Sequence, residues 1–155
     1  MGAAIVAWGA ASALGVGRTA FDVGGAGVQP RAAWSSRSNG KPFGRVTACS
    51  ASRAERPRAL LELGLAQVVQ QLNERKPNWH QLRLGIAIGT SSGGLAALER
   101  ALTDDAEVWE NCAYFAPLRA ALQRLQLTPR RLVSLHAACA SSTLALGLAM
   151  RELES

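Results

Sequence analysis

Cys139 is the residue of this sequence with the clearest potential for chemistry. It stands between a short apolar run at residues 132–135 and a long stretch of small and apolar residues that begins at Ala140. The run contains a β-branched valine and suits a buried strand, whereas the stretch after it suits a helix. A thiol at a helix N-terminus meets unpaired backbone N–H groups and the positive end of the helix dipole, which favour the thiolate. The pattern therefore predicts a cysteine nucleophile at a strand-to-helix turn, a group suited to acyl transfer.

The helix predicted from residue 140 onward has large apolar side chains on all sides. They are Leu144, Leu146, Leu148 and Met150. A helix without a polar face has no solvent side, so we expect it at the centre of a domain. The alternative interpretation of Cys139 is a core residue, because free cysteine is among the most buried residue types.

Composition and cysteine spacing limit the class of protein. The chain has 155 residues, of which 48% are hydrophobic and 18% charged, as in a globular protein with a real core. Its three cysteines, Cys49, Cys112 and Cys139, are an odd number without CxxC spacing. This pattern argues against a disulfide framework and a zinc site and is typical of a reducing compartment. We expect one domain over residues 1–155, in the cytoplasm, with no metal and no cofactor.

The net charge of +6 raises the question of an acidic partner. The arginines are dispersed and aromatic residues make up only 5%, so the sequence gives little support for nucleic-acid binding. The N-terminus lacks a basic region before its apolar residues, and glycines interrupt them, so we expect neither a signal peptide nor a membrane span.

Several further elements are predicted along the chain. Two buried strands are predicted, at residues 3–8 and 82–89. A helix is predicted over residues 53–73, with Pro57 in its first turn. Two helical pieces, separated near Pro117, are predicted within residues 104–127. Residues 24–52 read mostly as loop, with a short strand around 44–48. The second strand leads into Gly89-Thr-Ser-Ser-Gly-Gly94 and another helix. This loop is neither a P-loop nor a dinucleotide fingerprint, because the required spacings are absent.

The run Ala-Cys-Ala-Ser-Ser around Cys139 resembles the nucleophile motif of the β-ketoacyl synthases, thiolase-fold condensing enzymes of fatty-acid and polyketide biosynthesis. The loop Ser12-Ala13-Leu14-Gly15 and the turn at residues 89–94 resemble two earlier motifs of that family, in the same order. The resemblance implies an α/β fold, the N-terminal half of a thiolase-like domain, with a mostly parallel sheet and a buried central helix that carries the nucleophile. It also implies that Cys139 accepts an acyl group from an acyl carrier protein for Claisen condensation.

The family's two catalytic histidines have no counterpart here. His80 is predicted to lie in a surface loop after Trp79, and His136 stands three residues before Cys139, where strand geometry directs side chains to alternate faces. Three hypotheses follow. The chain could be a ketosynthase component completed by another polypeptide, a non-catalytic companion subunit of the chain-length-factor type, or a fragment of a longer synthase. The expected partners are a full-length or complementary ketosynthase subunit and an acyl carrier protein.

Overall fold

The structure, a computed structural model, describes residues 4–12, 15–21, 46, 48–52, 54–103 and 112–154. Its strands are β1 (Ala11–Ser12), β2 (Gly15–Val16), β3 (Gly85–Gly89) and β4 (Arg131–Leu135). Its helices are α1 (Arg56–Arg75), α2 (Leu95–Ala101), α3 (Ala116–Arg124) and α4 (Ser141–Glu154). Short 3-10 turns lie at Gly17–Phe21, Trp79–Gln81 and Ala138–Ala140.

β3 and β4 form a parallel two-stranded sheet with α4 packed on it. The register pairs Gly85 with Arg131 and Gly89 with Leu135, so both strands end at the same edge. β1 and β2 form a separate antiparallel pair. The fold is thus mixed α/β with small sheets, one of them parallel. The strands predicted at 82–89 and 132–135 are confirmed as β3 and β4, although β3 begins only at Gly85, and the helix predicted after Cys139 is confirmed as α4. The predicted burial of the two strands is wrong, because all their residues are half-buried or exposed.

The long helix α1 packs against α3. Both helices carry a proline in the first turn, where a missing N–H costs nothing, so the helix starts predicted near Pro57 and Pro117 are confirmed. The Glu62 carboxylate of α1 accepts a hydrogen bond from Arg58, and this bond raises the pKa of the Arg58 guanidinium. The same carboxylate lies 3.5 Å from the guanidinium of Arg124 on α3 and so links the two helices. The first helical piece predicted in 104–127 lies largely outside the described residues, as does most of the loop at 24–52. Val46 and Ala48, within the strand predicted around 44–48, are not in a strand.

The buried strand predicted at residues 3–8 is wrong for the part that the structure describes. Residues 4–10 belong to no sheet, and the side chain of Ile5 is 81% exposed. Side chains of α1 bind the backbone of this segment instead: Gln71 pairs with Trp8, and Arg75 donates to the Val6 carbonyl. An apolar β-branched run suits a strand, but it needs a free sheet edge to pair with, and here a helix is its neighbour.

The expectation that α4 is buried on all sides is also wrong. Ala145 is buried, but Leu144 and Leu146 are 51% and 57% exposed. Among the described elements, β3 and β4 supply most of the helix's packing, so only one face is covered. The buried hydrophobic residues of the described part are few and mostly small: Ala20, Cys49, Ala97, Leu118, Ala121, Leu122 and Ala145. None of the described helices is both long and apolar enough to cross a bilayer.

Candidate functional site around Cys139

Cys139 lies in the 3-10 turn between the end of β4 and the start of α4, and its side chain is exposed. Within the described part of the chain, neither its thiol nor its backbone N–H has a hydrogen-bond partner. The two helix-turn bonds around it use its neighbours: Ala140 N–H donates to Ala137, and Ser141 N–H donates to Ala138. The sulfur therefore has a free amide of its own residue beside it, at the positive end of a four-turn helix.

The turn before Cys139 has an unusual backbone. Ala138 adopts a φ of +47°, in the left-handed region that L-residues other than glycine and asparagine seldom occupy. Such a conformation costs about 1–2 kcal/mol and persists only where surrounding contacts hold it. Ser141 provides those contacts. Its hydroxyl accepts from the Ala137 N–H and donates to the Ala138 carbonyl, both at 2.8 Å, and the residue is only 2% exposed.

The end of β3 fixes the turn from the other side. Gly89 lies so close to the start of α4 that a Cβ there would be 2.2 Å from the Ser141 carbonyl carbon. The next residue, Thr90, donates its N–H to the Leu135 carbonyl at the end of β4. The Thr90 hydroxyl then accepts from the backbone N–H of Gly93 at 3.0 Å, which folds the glycine loop back on itself. Both strand ends thus support the residues around the thiol.

His136, the histidine nearest in sequence, is engaged away from the thiol. Its Nε2 lies 3.0 Å from the Ser134 hydroxyl, and its ring stands edge to face with Tyr114 at a centroid distance of 4.3 Å. His80 lies in the turn Trp79–Gln81, ahead of β3. The structure therefore brings neither histidine into a hydrogen bond with Cys139.

The other two cysteines have different surroundings. Cys49 is buried and lines an open cleft of about 490 Å³ together with residues of α1 and Arg124, and Cys112 is half-buried beside Gly94. Residues of the described ranges offer no group of three His, Cys, Asp or Glu side chains that could hold a metal ion. Of the three thiols, Cys139 is the exposed one.

Sequence reasoning missed the supporting residues Ser141, Tyr114 and Thr90. The serine left a local signal, because serine at a helix start commonly bonds nearby backbone groups. The tyrosine left none, since its contact with His136 joins residues distant in sequence.

No family model, curated protein or solved structure matches this chain. The basis for assigning a function is therefore the motif around Cys139 and the geometry that holds it.

Proposed function

We propose that this chain is a ketosynthase-type component of fatty-acid or polyketide biosynthesis, in which Cys139 accepts an acyl group from an acyl carrier protein. The observation that carries the proposal is the exposed Cys139 thiol with a free N–H at the N-terminus of α4. The resemblance of residues 138–142 to the ketosynthase nucleophile motif supplies the reaction class. The finer fold, half of a thiolase-like domain, and a cytoplasmic location belong to the same proposal.

The chemistry follows from the groups around the sulfur. The thiolate attacks the carbonyl carbon of an acyl thioester, and negative charge develops on the carbonyl oxygen. In this proposal the free N–H of Cys139 donates to that oxygen as one oxyanion-hole donor. Collapse of the tetrahedral intermediate breaks the bond to the carrier thiolate, which leaves and takes up a proton, and the acyl group remains on Cys139.

Condensation needs groups that these residues do not supply. Decarboxylation of a malonyl thioester in the resembled family uses two histidines. Of the two histidines here, His80 lies in the turn ahead of β3, and His136 lies within hydrogen-bond distance of the Ser134 hydroxyl. A second polypeptide, a full-length or complementary ketosynthase subunit, therefore completes the site in this proposal. Within the described ranges this parallel sheet consists of β3 and β4 alone, and strand edges without a neighbour favour pairing with another chain.

The alternative function is a non-catalytic companion subunit of a full-length ketosynthase. It is favoured by the exposed leucines of α4, since a large apolar surface marks an interface in water-exposed proteins. In that case α4 serves docking and Cys139 carries no acyl group. The unpartnered thiol at the helix start is the reason that the catalytic component is preferred.

One experiment separates these functions. The purified chain is incubated with an acyl thioester of an acyl carrier protein, and peptide mass spectrometry measures acylation. The catalytic proposal predicts an acyl group on Cys139, its absence in Cys139→Ala, and retained acylation in Cys112→Ala. It also predicts no β-ketoacyl product when malonyl carrier is added to this chain alone. An unmodified Cys139 would favour the companion subunit, and efficient condensation by the single chain would contradict both accounts.

A further inference from the structure

An open groove of about 570 Å³ lies at the end of the parallel sheet away from Cys139. Its walls come from the start of β3, the start of β4 and the last two turns of α4. Leu148, the groove residue of α4 nearest in sequence to the thiol, is seven residues beyond Ser141, a rise of about 10 Å along the helix. The groove is therefore separate from the turn around Cys139. Its volume is within the range of small-molecule sites, about 300–1,000 Å³.

Three arginines that are dispersed in the sequence meet at this groove. Arg83 directly precedes Leu84 and β3, whereas Arg130 and Arg131 lie at the start of β4, and all three line the groove. Backbone pairing brings them together. The Arg130 N–H donates to the Leu84 carbonyl at 2.8 Å, and Arg131 pairs with Gly85 in the sheet register. The parallel pairing of the two strands thus creates a local positive charge that the sequence alone does not indicate.

Two of these guanidinium groups are available to an anion. Arg131 forms an ion pair with Glu152, which also lines the groove. Arg83 and Arg130 are exposed, and within the ranges that the structure describes neither side chain has a hydrogen bond or an ion pair. Glu152 and the negative end of the α4 dipole oppose an anion here. Three arginines against one glutamate nevertheless leave the described lining with a net charge of +2.

The rest of the lining is largely apolar. Its larger apolar side chains are Leu84, Ile86, Val133, Leu148 and Leu153. Four of them are half-buried and Leu153 is 74% exposed, so all retain apolar surface that a bound aliphatic chain would remove from water. Apolar side chains beside unpaired guanidinium groups fit a ligand that is anionic at one end and aliphatic along the rest.

We infer that the groove binds a fatty carboxylate, with the head group at Arg83 and Arg130 and the chain along the apolar lining. A planar guanidinium matches a carboxylate with two parallel hydrogen bonds. The three residue steps from Leu84 to Ala87 span about 10 Å, so the ligand needs only a short chain such as that of octanoate. Binding involves neither Cys139 nor acyl transfer. The inference therefore goes beyond the proposed function and does not depend on it.

Three ligands separate the two parts of this recognition. Octanoate has both the carboxylate and the chain, acetate has the carboxylate alone, and octanol has the chain with a neutral head group. In calorimetric titrations of the full chain we expect saturable binding of octanoate and at least about tenfold weaker binding of acetate and of octanol. Hydrogen exchange measured by mass spectrometry should show that octanoate protects residues 84–87 and 148–153.

Matched variants assign the head group to its arginines. Arg83→Gln/Arg130→Gln should weaken octanoate binding by about tenfold or more, because the charge-assisted hydrogen bonds are lost. Arg18→Gln/Lys76→Gln removes the same charge from two exposed side chains outside the groove and should bind octanoate as the unmodified chain does. Circular dichroism verifies that each variant is folded. Cys139→Ala should also bind octanoate unchanged, so that failure of acyl transfer and failure of this site are told apart.

Several results would overturn the inference. They are no saturable binding of octanoate, equally tight binding of octanol or acetate, an equal loss of affinity in the two double variants, or protection of residues outside the groove. A polyglutamate peptide that binds and protects the groove residues when octanoate does not would assign the groove to an acidic protein segment, and would also overturn it.

Discussion

Gly89 at the end of β3 and Ser141 at the start of α4 approach so closely that no side chain fits between them. A methyl group at residue 89 would lie 2.2 Å from the Ser141 carbonyl carbon and 2.4 Å from the Ser142 nitrogen. Both obstacles are backbone atoms of the helix that follows Cys139. This contact ties the parallel sheet to the turn that carries the thiol.

Gly89→Ala should therefore destabilise the fold by about 1–3 kcal/mol, the cost of overpacking a tight contact. Gly85→Ala is the matched control at the other end of β3, where a Cβ would meet nothing within 4 Å. That substitution should be neutral or stabilising, because alanine has less freedom to lose on folding than glycine. Urea denaturation measures both, and an equal effect of the two substitutions would contradict the proposed contact.

The left-handed Ala138 gives a second stability prediction. Glycine adopts a φ of +47° without steric cost, so Ala138→Gly should leave the free energy of unfolding unchanged or raise it by up to about 1 kcal/mol. Ala149→Gly, in the interior of α4, should lower it by about 1 kcal/mol. Thermal melts compare the two variants. If glycine at position 138 destabilises as much as at position 149, the turn is not strained.

The junction around Cys139 could be predicted because its determinants are local. A β-branched apolar run, then small residues, then a long helix-forming stretch place β4, the turn and α4 within a residue or two of their observed bounds. Pro57 and Pro117 marked helix starts for the same reason, since their effect is on their own turn.

Burial could not be predicted in the same way, because it depends on which elements pack against each other. The apolar residues of α4 indicated a central helix. In the described fold, however, β3 and β4 provide most of its packing, and they cover one face of the helix only. Likewise, residues 4–8 have a strand-like sequence, yet the glutamines of α1 bind their backbone. The pairing of Gln71 with Trp8 joins positions more than sixty residues apart, and nothing in the local pattern indicates it.

Substitution of His136 should leave the reactivity of Cys139 unchanged. The imidazole faces the Ser134 hydroxyl and the Tyr114 ring, not the thiol. If His136 acted as the general base, its removal would lower the rate of Cys139 alkylation by about a hundredfold or more. Timed alkylation of His136→Gln by iodoacetamide measures this, with His80→Gln as the distant control. A large loss confined to His136→Gln would show that the imidazole activates the thiol.

Exposed leucines of α4 should drive association with a partner. Replacing Leu144 and Leu146 by glutamate should reduce self-association and partner capture with little loss of secondary structure, since both side chains lie largely in solvent. Leu82→Glu, another exposed leucine on the segment before β3, serves as the control and should change neither. Light scattering over a dilution series reads out the result. A dilution-resistant monomer with a cooperative melt, already in the unmodified chain, would refute both the completed-enzyme and companion-subunit functions.

The central claim, that Cys139 is an activated nucleophile, is tested most directly by comparing the three thiols within one molecule. Timed alkylation of the folded, assembled protein with a small reagent, followed by peptide mapping, gives a rate for each cysteine. The account predicts that Cys139 reacts fastest at neutral pH, because it is exposed at a helix N-terminus with a free N–H. Comparison of each rate with that of the same cysteine in the urea-unfolded chain separates activation from exposure. If Cys139 in the folded protein reacts no faster than Cys49 and Cys112, or no faster than in the unfolded chain, the claim is wrong.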